Sequence, residues 1–362
     1  MQSNFPTFPS PHSRETNRAR EKGVKLSKKG EKMKILLRGI AILFVFLLSV
    51  NGQAQDLKDP VHLRIGTMDL GSAHYVYGAV FAKLWRGVLP KGSTIDVLPY
   101  AGGVGNALVM DKDDADLGLL FGAAAKWAVE GKVVFPKKIE ILTGLVGGLD
   151  QYYVGIMATK RSGITSLEEV ARKKLPVRVV TQPRGSASEA STRLVLEAYG
   201  MTYEDIQSWG GSVTPTATGV VKAQMVDGKA DVWINMVVAG HPAISELAIS
   251  TEIVFLPMDD ALIKKLEPYG YQKAFLPAKA FKGQDQDVPL VGWPTILVAR
   301  KDLNAEVAYV LTKAIVENKA ELVKGHAAFK TFSPENAWKI QAYGLALHPG
   351  AEKYYREKKM LK

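Results

Sequence analysis

Arg184 lies in Gln182-Pro183-Arg184-Gly185-Ser186-Ala187-Ser188-Glu189, a cation inside a Gly/Ser loop. A guanidinium there can clamp a carboxylate through two hydrogen bonds, or it can face solvent; spacing alone leaves both open. Ser186 and Glu189 have the spacing of a capping box, so a helix starts behind the arginine. Two further loops, Gly66-Thr67-Met68-Asp69-Leu70-Gly71-Ser72-Ala73 and Ala101-Gly102-Gly103-Val104-Gly105-Asn106, carry similar ingredients. Glycine lets the backbone turn sharply and lets a ligand approach it. The first turn of a helix offers unpaired N–H groups and the positive end of the helix dipole. Each loop is therefore either a seat for an anionic group or an ordinary βα turn. His74 and His241 fall beside such loops, as ligand contacts or as caps. Asp116 and Asp231 sit at strand entries, away from the loops, which points to a structural role rather than to general-base chemistry.

This is chemistry of binding, not of turnover. The chain has no G-x-S-x-G, H-E-x-x-H or G-x-x-x-x-G-K-[ST] motif. Its six histidines, at 12, 62, 74, 241, 326 and 348, never pair at metal-ligand spacing. Cysteine is absent, which excludes thiolate sites, thiol nucleophiles and disulfides. No enzymatic activity, metal or cofactor is expected.

The elements that must hold these loops follow from periodicity. His62–Ile65 alternates as a strand, and Tyr77, Val80, Phe81 and Leu84 recur at helical spacing after it. Thr94–Pro99 and Ala115–Leu120 read as strands, the second covered on both faces, with helices to about Lys112 and over Ala124–Glu130. Strands are expected over Ile139–Val146 and Gln151–Met157, and a helix opening at Ser166. Val177–Thr181, the Arg184 loop and a helix ending at Gly200 repeat the opening unit. A helix over Thr218–Val226, a strand over Ala230–Ile234 and an Asn235–Gly240 loop leading into His241-Pro242 complete the second copy. Ile253–Pro257 and Thr295–Ala299 read as strands, 275–293 as irregular, and Glu306–Lys324 as one long helix. Ala115-Asp116-Leu117 and Ala230-Asp231-Val232 open matching strands. Strands alternating with helices predict an α/β fold of two lobes, their glycine loops turned into a shared cleft.

The chain has 362 residues, 47% hydrophobic, enough for two or three domains. Its formal charge is +11, but residues 1–54 hold ten Lys/Arg and three Asp/Glu, or +7, leaving +4 for the rest. A nucleic-acid partner is therefore not expected. Ile35–Val50 is apolar, preceded by Lys32 and Lys34 and followed by Gly52-Gln53-Ala54. That is a secretory signal, expected over 33–54 with cleavage near Ala54; an uncleaved anchor is the other reading. Residues 1–32 are polar and unlike the rest, disordered or upstream of the true start at Met33.

The residues from Leu63 to Arg356 resemble TAXI-type solute-binding receptors of tripartite ATP-independent periplasmic (TRAP) transporters. The resemblance is carried by Ile65-Gly66-Thr67 with Gly71 and Tyr75, by Ala101-Gly102-Gly103 with Asn106, and by Ala115–Gly118. Pro183, Gly185-Ser186, Ser188-Glu189, Asp227–Asp231 and Ala239–Ala248 continue it. Gly283–Pro289 and His348–Ala351 are its most specific pieces. It implies a type II-like, two-lobed periplasmic binding protein, each lobe a mixed sheet covered by helices. Lobe 1 is expected at 56–158 plus 284–362 and lobe 2 at 159–283, with crossings near Thr159 and Gly283. It also implies a monomer that captures a small organic acid, glutamate-like or a 2-oxoacid dicarboxylate, for an ion-gradient-driven TRAP permease. Other readings are a module feeding a membrane sensor and an exported enzyme on the same scaffold. Met68, Asp69, Leu70, His74 and Phe121-Gly122-Ala123 depart from the family's loops and allow a less polar or larger carboxylate. The expected ligand contacts are Thr67, Gly71, Ser72, Tyr75, Gly102, Gly103, Asn106, Phe121, Arg184, Gly185, Ser186, Ser188, Asn235 and His241.

Overall fold

A computed structural model describes residues 57–361 apart from 69, 71 and 101. The signal at 33–54 and the upstream segment lie outside the described residues, as does candidate Gly71.

The first sheet holds β1 (His62–Thr67), β2 (Thr94–Pro99), β3 (Leu117–Phe121), β4 (Leu142–Val146) and the late strand β12 (Thr295–Arg300), in the order β2-β1-β3-β12-β4. β1 runs parallel to β2 and β3, while β12 runs antiparallel to β3 and β4, so the sheet is mixed. The second sheet holds β5 (Tyr152–Thr159), β6 (Arg178–Thr181), β7 (Ser212–Pro215), β8 (Val232–Val237), β9 (Ile253–Phe255), β10 (Gln272–Leu276) and β11 (Val288–Trp293). Its order is β10-β11-β5-β8-β6-β7, with β9 also on β5, and it too is mixed. Two mixed sheets covered by helices are what the family resemblance implies; alternation of strands and helices argues for parallel sheets, and β12 and β5 run antiparallel to their neighbours.

The chain passes between sheets at 147–151 and back at Pro294, not near Thr159 and Gly283. β5 is buried along its whole length because it pairs with β8, and β11 pairs with β5. Those long-range pairings decide sheet membership, and local pattern carries no trace of them. The segment 275–293, expected to be irregular, includes the end of β10 and all of β11.

The duplication foreseen from sequence is close in three dimensions. α1 (Ala73–Arg86), α2 (Gly102–Asp111) and α3 (Gly122–Glu130) follow β1, β2 and β3. After α4 (Leu167–Lys173), α5 (Ala187–Ala198) follows β6. α6 (Tyr203–Ser208), unforeseen, precedes β7; α7 (Thr218–Val226) and α8 (Pro242–Ser250) follow β7 and β8. Each half is braced at the strand entries by one bracket. Arg64 on β1 gives its backbone N–H (2.7 Å), Nε (3.1 Å) and Nη2 (2.8 Å) to the carboxylate of Asp116, and Nη1 to the Asp113 carbonyl (2.7 Å). Arg178 on β6 does the same with Asp231 (2.9, 2.9 and 2.5 Å) and the Gly228 carbonyl (2.7 Å). Asp116 and Asp231 are thus brackets, as their position at strand entries predicts.

After α9 (Asp260–Leu266), the helix expected over Glu306–Lys324 breaks at 317–318 into α10 (Ala305–Val316) and α11 (Lys319–Gly325). α12 (Pro349–Glu357) packs on α10, and the hydroxyl of Tyr355 reaches the Leu145 carbonyl at 2.8 Å, fixing the C-terminal segment on the first sheet.

Candidate functional site

The C-terminal edges of the two sheets meet at a seam. Thr295, the first residue of β12, pairs with Phe121, the last of β3. In the second sheet Trp293, the last residue of β11, pairs with Tyr152, the first of β5, and Tyr153 pairs with Val237 at the end of β8. Phe121 touches Tyr152 and Trp293 across the seam, with centroids 4.9 and 6.2 Å apart, and Trp293 stacks edge-on to Tyr271 at 4.8 Å. Phe121 is almost fully buried there, enclosed by aromatic rings, and a Cβ on Gly103 would lie 2.7 Å from its ring. This close approach is why the second residue of α2 is glycine.

A buried polar chain runs beneath the rings. Asp150, in the first crossing, accepts the hydroxyl of Tyr77 (2.8 Å) and the backbone N–H of Thr295 (2.8 Å). The Thr295 carbonyl accepts from Leu149 N (3.1 Å), and its hydroxyl meets His74 Nε2 at 3.0 Å. One residue therefore ties both crossings to the first turn of α1. Burial pushes Asp150 up to about 6 and His74 down to about 3. The imidazole is neutral at pH 7, sits 4.8 Å from Phe121 and has an unpaired Nδ1. Sequence placed His74 beside the loop; its enclosure by Phe121 and Tyr152 comes from distant chain.

The expected ligand contacts divide by position. Ser72 and Ser186 cap α1 and α5, accepting from Tyr75 N and Glu189 N at 3.1 Å each. The second half of the Ser186 box is used elsewhere, since Glu189 accepts from the Tyr203 hydroxyl at 3.1 Å. Thr67 is buried and donates to the Leu98 carbonyl (2.9 Å). Asn106 donates to the carbonyls of Gly66 (3.0 Å) and Leu119 (2.8 Å), which fixes its amide and leaves Oδ1 unpaired. Tyr75 is half-buried at the start of α1, and Gly102, at φ +78°, opens α2. Asn235 lies inside β8 rather than in a loop, opposite Gly155, because the strand runs on to Val237. Ser188 is buried behind it, 3.4 Å from Met236 N. His241 caps the start of α8 by position alone, kept neutral by burial, with Nδ1 unpaired. Gly185 (φ +82°) and Arg184 are exposed, and the guanidinium stands 5.7 Å from the Tyr203 ring. Arg184 faces outward rather than into the packed seam.

His74, Asn106, Gln182, His241 and Trp293 each leave a buried polar atom unpaired, and all five lie at the strands' C-terminal edges. Such an atom costs about 1–3 kcal/mol, a cost relieved if the seam opens or admits a hydrogen-bonding guest. Sequence reasoning missed Asp150, Thr295 and Gln182 in this region, while Tyr77 reads from sequence as a core or cleft-wall residue; an aspartate within the 147–151 link is the one local signal. Among the described residues no group of acids and histidines could hold a metal ion.

Two mixed sheets covered by helices and joined by two crossings make an α/β fold that the chain shares with solved structures. MatC from Rhodopseudomonas palustris, solved with bound malate, superposes with a TM-score of 0.51 at 14% identity, over 84% of this chain and 100% of that one. The aliphatic sulphonate binding protein SsuA from Escherichia coli gives 0.44 at 16% identity, over 83% and 89%. The family model described as NMT1-like matches residues 65–358, and the chain belongs to the NMT1-like family.

Proposed function

We propose that this protein is an extracytoplasmic solute receptor that binds a small organic acid between its two halves. The observation that carries the reading is the duplicated strand–loop–helix unit, which brings two serine-capped helix starts and one exposed cation, Arg184, to the C-terminal edges of the sheets. The carboxylate meets Arg184 and the Gly185–Ser188 backbone, and Gly66–Tyr75 and Gly102–Asn106 close the other side. Helix dipoles supply about 1–2 kcal/mol in a partly buried site. A micromolar dissociation constant needs about 8 kcal/mol, so charge-assisted hydrogen bonds and apolar contact must provide the rest. The seam's aromatic rings favour an acid with an apolar portion over a bare dicarboxylate. The receptor is periplasmic and monomeric, and it delivers its ligand, without turnover, to an ion-gradient-driven permease of the TRAP type, as a TAXI-type receptor does.

The test is mass spectrometry of small molecules released when the purified protein is denatured. A carboxylic acid recovered stoichiometrically, and rebinding to refolded protein unchanged, is the expected result. A ligand without a carboxylate would overturn the assignment, and conversion of the ligand on rebinding would make the protein an enzyme.

A further inference from the structure

The duplication has one electrostatic mismatch, at the ends of the sheets remote from the seam. In the first half Arg300, at the end of β12, donates Nη1 to the Met110 carbonyl of α2 (2.6 Å). Its charge is met by Asp302 (2.7 Å) and by Asp113 (3.5 Å). In the second half the guanidinium of Arg161 occupies the corresponding place, bound to the Met225 carbonyl of α7. Arg161 reaches it from two positions further along the chain. Backbone register assigns Thr159 to the Arg300 position, since Thr159 N donates to Asp231 O (2.9 Å) as Arg300 N does to Asp116 O (3.0 Å). The counterpart of Asp113 is Gly228, because their carbonyls accept Nη1 of the paired bracket arginines. Both residues are left-handed, at φ 64° and 74°. The Arg161 Cζ lies 3.3 Å from where a Gly228 Cβ would stand. Asp113, the more distant of the two acids that meet the first guanidinium, thus has no counterpart beside the second. Among the described residues Arg161 has no carboxylate partner.

The guanidinium borders a cavity of about 560 Å³ that also carries Thr165, Ser166, Arg178, Glu169 and Asp231. The two acids are already engaged, Asp231 by Arg178 and Glu169 by Lys173 (2.5 Å). The charge left over in the cavity is positive and belongs to Arg161. We propose that this cavity is a second ligand site, independent of the seam, that binds an oxyanion group of a small molecule at Arg161. The group takes the place of the missing aspartate carboxylate, and the hydroxyls of Thr165 and Ser166 line the same cavity.

The experiment follows the side-chain Nε–Hε resonance of Arg161 in arginine-labelled full-length protein, assigned through Arg161→Lys. Inorganic phosphate and acetate are titrated in separate arms. Saturable movement with phosphate assigns a tetrahedral oxyanion, and with acetate alone a carboxylate. Gly228→Asp, which restores the acid of the first half, should abolish the movement. Arg161→Ala should weaken binding of the same anion, followed by calorimetry, about tenfold, the loss of one charge-assisted contact of about 1.5 kcal/mol. Both variants should bind the seam ligand as the parent does. Asp113 shows that an aspartate holds this backbone conformation, so Gly228→Asp gives a readout even if Arg161→Ala does not fold. No saturable movement with either anion, or unchanged affinity in Gly228→Asp, overturns the proposal.

Discussion

Thr295 uses its carbonyl, N–H and hydroxyl on Leu149, Asp150 and His74 respectively. The two titratable ends of this chain respond to pH with opposite signs. The Asp150 carboxyl is about 6 in the fold against 3.8 unfolded, so its contribution is full below about 4 and lost as pH rises to 6. The His74 imidazole is about 3 against 6.5, so its contribution is full above 6.5 and lost as pH falls. Between pH 4 and 6 the two oppose each other. Relative to Asp150→Asn, the parent should lose stability as pH rises from 4 to 6; relative to His74→Gln, it should gain. Urea denaturation at pH 4, 5, 6 and 7 measures both, and parallel curves for parent and variants would remove the pair from the pH response. Arg184 gives the second prediction at this scale. Arg184→Ala should weaken carboxylate binding by about 2–5 kcal/mol if closure buries the ion pair, and Arg184→Lys should restore only part of it. Calorimetric titration of each variant decides. Unchanged affinity in a folded Arg184→Ala would leave the carboxylate to backbone amides.

At the scale of elements, the brackets predict equal behaviour in the two halves. Asp116→Ala removes charge-assisted bonds to Arg64 and leaves a strand-entry N–H unpaired, a cost of about 1.5–3 kcal/mol. Asp231→Ala should cost the same within about 1 kcal/mol, read by denaturant midpoint at unchanged slope. A large inequality would mean that the halves are not mechanically equivalent. Much of this level was legible in the sequence. The repeat, the caps at Ser72, Ser166 and Ser186, and the outward role of Asp116 and Asp231 follow from spacing alone. α6 and β7 were not, because β7 is a four-residue edge strand, Ser-Val-Thr-Pro, without a buried face. The seam was not legible either. Burial of Phe121 depends on Tyr152 and Trp293, 31 and 172 positions away, and no local period encodes that. Asn235 read as loop because asparagine favours turns, yet pairing with Gly155 keeps it in the strand.

For the whole molecule, two crossings permit the halves to close on a ligand, with closure favoured only by contacts that the closed state alone makes. Small-angle scattering with the ligand recovered from the protein should show compaction at saturation; superimposable profiles from a ligand-stripped sample would argue against closure. The sequence places the crossings too late in the first case and too early in the second, since β5 and β11 join the second sheet through pairings with remote strands. The corrected position matters for the kind of motion available. Trp293 is held in one ladder and Thr295 in the other, so a single residue, Pro294, links them. Its ring locks φ near −65°. With one torsion frozen and both neighbours clamped, this side of the molecule works as a pin and the 147–151 link as a strap. Rotation is steered about one axis, and sliding of one half along the other is resisted. Pro294→Gly should turn the pin into a ball joint: distances between spin labels on the two halves should keep their mean and broaden.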